Sequence, residues 1–97
     1  MDIIFEVTDI TKRKIYLTKK RFKHIMEHNE IQNKLEEIKE TLMNPHRIIE
    51  HRNNSAVKSY YRYYKIIGKY LKVIVKYLNG NGFIISSYFV RSIHYEN

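Results

Sequence analysis

The sequence contains no cysteine, one proline and three glycines in 97 residues. The absence of cysteine excludes a disulfide framework, a thiolate nucleophile and cysteine-ligated zinc. With so few glycines and prolines, the chain is expected to form mostly helices and strands, within a single domain spanning residues 1–97. No apolar run is long enough to span a bilayer and no secretory signal is visible, so the sequence predicts a cytoplasmic protein without a membrane partner.

Acidic residues are missing from nearly half of the chain. Residues 51–95 contain eight Lys and Arg and no Asp or Glu, whereas residues 1–50 contain ten basic and nine acidic residues. Ile, Lys, Asn and Tyr make up 44 of the 97 residues, a bias that is typical of AT-rich coding sequence and raises the lysine content by itself. Because that bias does not explain a one-sided loss of acids, the pattern indicates a surface that binds a polyanion such as nucleic acid.

The hydrophobic pattern changes its period near Pro45. Before it, residues 3–7 and 14–18 have the composition of short strands, and the apolar spacing predicts helices over 18–29 and 30–45. Beyond it, a period of two predicts four successive strands. These strands span residues 46–52, 56–67, 69–78 and 82–93. The sequence therefore predicts an α+β fold, in which short N-terminal strands and two helices pack on a four-stranded antiparallel sheet.

The Asn-Gly repeat at residues 79–82 predicts a hairpin between the last two strands. The simplest closure places Val75 opposite Ser86, and a two-residue turn on either Asn-Gly dipeptide keeps the same faces, whereas a loop of odd length would exchange them. In this register Ser86 lies among aliphatic and aromatic residues. Ser87 then lies on the other face, near basic residues.

The predicted strands offer cations and aromatic rings but no carboxylates. Metal-dependent nucleases hold divalent ions with clustered carboxylates, so we predict neither a metal nor another cofactor. RNA carries its own nucleophile, the 2′-hydroxyl, and its cleavage then needs an acid, a base and cations around the phosphate. The tyrosines of YYRYYK at residues 60–65 are suited to stacking on bases, but alternate rings also pack readily within a sheet.

His24 and His28 are candidates for proton transfer. They stand four residues apart in the predicted first helix, which brings their side chains to the same side. Such a pair can bind a metal, but the zinc-protease motif needs Glu directly after the first His, and no third ligand is evident. They are therefore either exposed surface histidines or a general acid and base in a cleft beside the sheet.

Three segments resemble the small phage- and bacteria-associated members of the barnase–EndoU–colicin–RelE superfamily. They are TKKRFKHIMEHNEI, IKETLMNPHRII and LKVIVKYLNGNGFIISSYF, and the resemblance covers roughly residues 14–93. The matching positions are an aromatic residue and two histidines in the first helix, a TL-x-x-P ending of the second helix, and a final strand of the form GF-hydrophobic-hydrophobic-Thr-x-Tyr-Phe. These positions are Phe22, His24, His28, Thr41, Leu42, Pro45, Gly82, Phe83, Ile84, Ile85, Ser86, Tyr88 and Phe89.

The sequence departs from the superfamily pattern at four positions. Phe22 stands where Trp is common, Asn29 where Pro often follows the second histidine, and His46 where Asp often follows the proline. Ser86 replaces the threonine of the last strand and keeps its hydroxyl. None of these departures removes a candidate catalytic group.

The resemblance implies a metal-independent RNase, or an RNase-like toxin, that cleaves RNA by attack of the 2′-hydroxyl. It implies that His24 or His28 transfers protons and that Ser86 and Tyr88 position the phosphate. The residues expected to bind the RNA backbone or stabilise charge are Arg62, Lys65, Lys72, Lys76 and Arg91. The expected partners are RNA and, for a toxin, an antitoxin or immunity protein.

Two other interpretations remain open from the sequence. One is a non-catalytic module on the same fold that binds RNA or a protein partner. The other is an unrelated α+β protein whose basicity is only compositional. The two neighbouring serines are alternative candidates for binding the phosphate. Charge alone favours Ser87, whereas the resemblance favours Ser86. A hydroxyl among apolar residues, as predicted for Ser86, needs a hydrogen-bond partner.

Overall fold

The computed structural model describes residues 2–94, which form a six-stranded sheet with two helices packed on one face. The strands are β1 (Ile3–Thr8), β2 (Lys14–Thr18), β3 (Arg47–His51), β4 (Asn54–Tyr64), β5 (Lys69–Leu78) and β6 (Asn81–Val90). The helices are α1 (Lys19–Ile25) and α2 (Leu35–Met43), with a 3₁₀ turn at Asn29–Ile31 between them.

The strands lie side by side in the order β1-β2-β6-β5-β4-β3. All neighbours are antiparallel except β2 and β6, which are parallel. The α+β class is confirmed, but the four-stranded antiparallel sheet is wrong. The N-terminal hairpin joins the sheet instead of standing apart, because β2 adds to the edge of β6 and contributes Ile15 and Leu17 to the core.

Both helices are shorter than the apolar spacing predicted. Thr18 caps α1, since its Oγ1 accepts a hydrogen bond from the backbone N–H of Arg21 at 3.3 Å. The helix ends at Ile25, so residues 26–29 are outside it. Before α2, Asn33 has a φ of 62°, a left-handed conformation that an α-helix cannot contain.

The hydrophobic core lies between the helices and one face of the sheet, called here the helix face. Ile25, Ile38 and Leu42 from the helices are buried against Leu71, Val73, Val75 and Ile84 from β5 and β6. The opposite face, called here the open face, carries the alternate side chains of the same strands. These include Tyr61, Lys72, Ile74, Lys76, Phe83, Ser86 and Tyr88.

Gly82 permits the close approach of β2 to the β5–β6 hairpin. A Cβ at this position would lie 2.5 Å from Ile15 Cδ1 and 2.8 Å from Val75 Cγ1, closer than side chains pack. Ile15 pairs with Gly82 in the parallel ladder, so the side chain of Ile15 occupies the space that a Cβ would fill. The glycine of the GF motif is therefore a packing requirement of the six-stranded sheet.

The predicted hairpin between β5 and β6 is present, and it closes with a two-residue turn on Asn-Gly, not with the simplest closure. Leu78 pairs with Asn81 across a two-residue turn, in which Asn79 and Gly80 have φ values of 54° and 85°. These positive angles are those of the turns that favour Asn-Gly. The turn therefore agrees with the sequence signal.

A β-bulge in β6 then reverses the predicted faces. Val75 pairs with Ile84, but the next residue of β5, Ile74, pairs with Ser86, so Ile85 is an extra residue in the ladder. A slip of one residue turns every following side chain to the other face. Ser87 is opposite Val73 on the helix face. The predicted placement of the two serines was thus wrong.

A buried carboxylate ties the β1–β2 turn to the sheet. Asp9 is 3% exposed, and its carboxylate accepts hydrogen bonds from the Thr11 and Arg13 backbone N–H groups and from the hydroxyls of Tyr60 and Tyr77. Burial by itself would raise the pKa of Asp9, but these hydrogen bonds together outweigh it and lower that pKa. Burial raises the pKa of Tyr60 most, and its hydrogen bonds to Asp9 and Tyr77 raise it further. Burial also raises the pKa of Tyr77, to about 12.

Candidate active site on the open face

Lys72 lies at the centre of the open face, between two tyrosines. The ladder places Tyr61 of β4 and Tyr88 of β6 on either side of it. Lys72 is 8% exposed, and its Nζ is 5.6 Å from the centroid of each ring. The π faces stabilise the ammonium charge there, and β4, β5 and β6 contain no acidic residue that would neutralise it. The centre of the face is therefore positive.

Two buried hydroxyls beside Lys72 have no hydrogen-bond partner within residues 2–94. They are the hydroxyls of Ser59 and Tyr61, which share the open face of β4. Leaving a buried polar group unpaired costs about 1–3 kcal/mol, so two such hydroxyls beside one lysine are a candidate functional feature. Tyr61 belongs to the YYRYYK stretch that the sequence marked as suited to stacking on bases, but its position and that of Ser59 beside Lys72 depend on the pairing of β4 with β5.

The two serines of β6 have different environments. Ser87 is fully buried, and its Oγ donates a hydrogen bond to the backbone carbonyl of Lys72 at 3.0 Å. Ser86 is half-buried on the open face, beside Ile74 and one alternation away from Tyr88. Ser87 therefore has a structural hydrogen bond, whereas Ser86 lies on the same face as Lys72.

His28 lies at the edge of the open face, next to Tyr88. Its imidazole centroid is 6.5 Å from that of the Tyr88 ring, with the planes tilted by 47°. The segment that carries His28 is held by the buried Ile31 and by a 2.7 Å ion pair between Glu30 and Lys69. A pocket of about 290 Å³ lies between this segment and β6. The exposed imidazole of His28 is thus positioned beside Tyr88, whose ring lies next to Lys72.

His24 has a different position from His28. It is exposed on α1, and its Nδ1 is 3.5 Å from Glu27 Oε1. The expectation that both histidines stack on one side of a helix was wrong, because α1 ends at Ile25 and His28 follows the helix. Within residues 2–94, no group of three or more His, Asp or Glu side chains is arranged to hold a metal ion.

The other predicted RNA-binding residues do not share one surface. Lys76 lies on the open face and is exposed, and Arg91 is exposed just beyond the end of β6. Lys65 is exposed in the turn after β4. Arg62 lies on the helix face, where its Nη1 donates to the Asn44 carbonyl at 2.7 Å and its Nε is 3.5 Å from Glu40.

The tyrosine cluster is divided between the two faces of the sheet. Tyr60 and Tyr64 are on the helix face, where the Tyr64 hydroxyl donates to Glu40 at 2.7 Å. Tyr61 and Tyr63 are on the open face. Tyr60 and Tyr64 therefore pack against the core and its helices, whereas on the open face Tyr61 is buried and Tyr63 is exposed.

The family model described as phage-Barnase-EndoU-ColicinE5/D-RelE like nuclease2 (PBECR2) matches residues 4–96, which is nearly the whole chain. The chain belongs to the PBECR2 family. Its membership confirms the resemblance to the barnase–EndoU–colicin–RelE superfamily and gives the general functional class as nuclease-like. No curated protein and no solved structure shows significant similarity to the chain.

Two of the superfamily positions in this PBECR2 protein meet on the open face. Ser86 and Tyr88 come from the GF-x-x-Ser-x-Tyr-Phe strand, and Lys72 comes from the neighbouring strand. Because the bulge places Ser86 on the basic face, the residue at the motif position and the serine near the lysines are the same one. In the described part of this PBECR2 chain, no helix has the length and apolar character needed to cross a membrane.

Proposed function

We propose that this protein is a metal-independent endoribonuclease that cleaves RNA by 2′-hydroxyl attack on the adjacent phosphodiester. The observation that carries the proposal is the Lys72 ammonium between Tyr61 and Tyr88, with His28 beside Tyr88 at the edge of the face. A cation next to hydroxyl donors stabilises charge that develops on a phosphate. An imidazole within reach of that phosphate can transfer a proton.

The proposed reaction uses only the RNA and side chains of the protein. A base removes the 2′-hydroxyl proton, and the 2′-oxygen attacks phosphorus to form a 2′,3′-cyclic phosphate. The bond from phosphorus to the 5′-oxygen breaks, and that oxygen takes a proton. We assign one of these two proton transfers to His28. Lys72 offsets the negative charge on the phosphate oxygens, and Ser86 and Tyr88 donate hydrogen bonds that position the phosphate.

The cations around this centre have different proposed roles. Lys76 and Arg91 are exposed at or near the open face and are suited to binding neighbouring phosphates of the RNA backbone. Lys65 is exposed in the turn after β4, where it can contact RNA that extends beyond the face. Arg62 receives no role in the reaction, because it is engaged with α2 on the other side of the sheet.

Incubation of the purified protein with RNA in excess EDTA tests the proposed function. We expect cleavage to persist and to give fragments that end in a 2′,3′-cyclic phosphate. The matched control is the same oligonucleotide with 2′-deoxyribose throughout, which lacks the nucleophile and should stay intact. Cleavage that EDTA abolishes, or equal cleavage of the deoxy control, would overturn the proposal. Salt-sensitive RNA binding without cleavage would instead favour a non-catalytic module.

The serine pair gives a second prediction. Ser86→Ala should lower RNA cleavage by about 10- to 100-fold, because a hydrogen bond to a charged phosphate is lost. The free energy of unfolding of the Ser86→Ala variant should hardly change. Ser87→Ala should keep wild-type cleavage but lose about 1 kcal/mol of stability, because it removes the hydrogen bond to Lys72. Initial cleavage rates and urea unfolding of both variants measure this contrast, and the reverse pattern would contradict the assigned faces.

We also propose a toxin role for the protein, with a neutralising antitoxin or immunity protein as its partner. The support is the nuclease-like family together with the positive open face. A partner with an acidic surface would complement that face and exclude RNA from it. Co-purification of the two proteins and loss of RNA cleavage in the complex would test this role.

A further inference from the structure

A second feature of the open face lies away from Lys72, where β6 meets α1. A pocket of about 320 Å³ is lined there by Arg21 from α1, Lys76 and Leu78 from β5, and Phe83 and Ile85 from β6. β2 ends at Thr18, so among residues 2–94 no strand pairs with the β6 backbone past Ile84 on that side. The bulge residue Ile85 therefore borders an opening and not another strand.

Phe83, which lines this pocket, stacks on a second aromatic ring. Tyr16 of β2 and Phe83 of β6 pair across the parallel ladder, and their rings stack with centroids 5.5 Å apart and planes 27° apart. Both rings are partly exposed. A stacked pair with an accessible face is suited to binding a nucleobase, because every base offers a π surface.

Two cations flank the aromatic pair. Lys76 is the cross-strand partner of Phe83 and is exposed. Arg21 is exposed and lines the pocket, and its Nη1 lies 3.5 Å from the Ile85 carbonyl oxygen, to which it donates. A guanidinium has five N–H donors, so this bond leaves others for a phosphate. None of the pocket's lining residues within the described part of the chain is acidic.

We propose that this pocket binds a nucleobase of single-stranded RNA, at a nucleotide that flanks the two joined by the scissile phosphate. The inference rests on the proposed function and extends it to the form of the substrate. Lys72 and Lys76 are four residues apart on one strand, about 13 Å at the usual rise. The pocket is therefore reached by a neighbouring nucleotide of the chain that lies on Lys72, while Lys76 and Arg21 bind the phosphates on its two sides.

Substrate length tests the proposed base pocket. Phe83→Leu removes the ring but keeps an apolar side chain. It should lower kcat/KM by about 5- to 100-fold on an oligonucleotide long enough to reach the pocket, through KM and not kcat. It should leave kcat/KM for a dinucleotide unchanged. The matched control is Tyr63→Leu, which removes an exposed ring from another part of the open face and should affect neither substrate.

A second variant removes a charge beside the pocket and leaves the two aromatic rings in place. Lys76→Met changes an exposed residue, so the fold should be retained. It should reduce the slope of log affinity against log salt by about 0.7 for the long oligonucleotide. An equal effect of Phe83→Leu on both substrates, or an effect on neither, would overturn the base pocket.

Failure of the proposed nuclease function can be distinguished from failure of the base pocket. If the wild-type protein binds RNA without cleaving it, the nuclease proposal fails. The affinities of Phe83→Leu and Tyr63→Leu for long and short oligonucleotides then replace kcat/KM and give the same contrast. A loss confined to Phe83→Leu and to the long oligonucleotide would still support the base pocket.

Discussion

Replacing His28 by alanine is expected to lower the rate of RNA cleavage by about 100- to 10,000-fold, the range typical of a lost general acid or base. The imidazole of His28 lies beside Tyr88, and the centroids of the two rings are 6.5 Å apart. The side chain is exposed, so its removal leaves no cavity in the core. Initial rates on a labelled oligoribonucleotide, with circular dichroism and urea unfolding for the fold, measure both parts of the prediction.

His24→Ala is the matched control for this experiment. His24 belongs to the same superfamily motif, is also exposed, and contacts Glu27. We expect its replacement to leave cleavage within about threefold of wild type, since a lost surface contact alters little. A large loss in His24→Ala combined with normal activity in His28→Ala would reverse the assignment and show that His24 transfers the proton.

Replacing Asp9 by asparagine is expected to destabilise the fold by about 3 kcal/mol at neutral pH. The carboxylate is buried and accepts hydrogen bonds from two tyrosine hydroxyls and from the β1–β2 turn. Hydrogen bonds to a charged group contribute about 1.5–3 kcal/mol, and an amide cannot accept at both of its polar atoms. Urea unfolding measures the difference, and Asp2→Asn, which neutralises an exposed carboxyl, is the control.

The effect of Asp9→Asn should also depend on pH. The pKa of Asp9 is lower in the folded protein than in the unfolded chain, so the unfolded chain binds more protons in this range. The contribution of the carboxylate is therefore fully present above its unfolded pKa of about 4 and is lost as the pH falls through the folded value. The difference between wild type and variant should shrink in acid. A difference that is constant from neutral pH to strongly acidic pH would contradict this prediction.

The same network should lose stability in alkaline solution. The pKa of Tyr77 is raised from its ordinary value to about 12. The contribution of its protonated hydroxyl is fully present below the unfolded pKa of about 10 and is lost as the pH rises through the folded value. The stability that this network provides is thus greatest between these acidic and alkaline limits.

Most elements of the fold could be predicted from the sequence because their signals are local. Alternating apolar residues after Pro45 identify four strands, and Asn-Gly identifies the turn between β5 and β6. The helix bounds were less accurate, because the apolar spacing continues through the 3₁₀ turn while Asn33 interrupts the backbone. The two N-terminal strands were found, but their addition to β6 depends on packing between distant residues at Gly82.

The candidate site was found from the sequence only in part. Ser86, Tyr88 and His28 came from a resemblance to known motifs, and Lys72 from its place in the acid-free half of the chain. Ser59 was missed and Tyr61 was considered only for base stacking, because their position beside Lys72 depends on the β4–β5 register. Arg62 was selected by charge, but α2 packs over its face of the sheet and engages it.

The sequence by itself determined the α+β composition, the acid-free strands, the Asn-Gly turn and the superfamily motifs, because composition and short-range pattern encode them. The tertiary structure alone decided which serine faces the basic surface. A single extra residue at Ile85 turns the rest of β6 over, and no periodicity in the sequence marks where a ladder admits such a residue. The bulge therefore moved Ser86 from the predicted apolar face to the face of Lys72 and Tyr88.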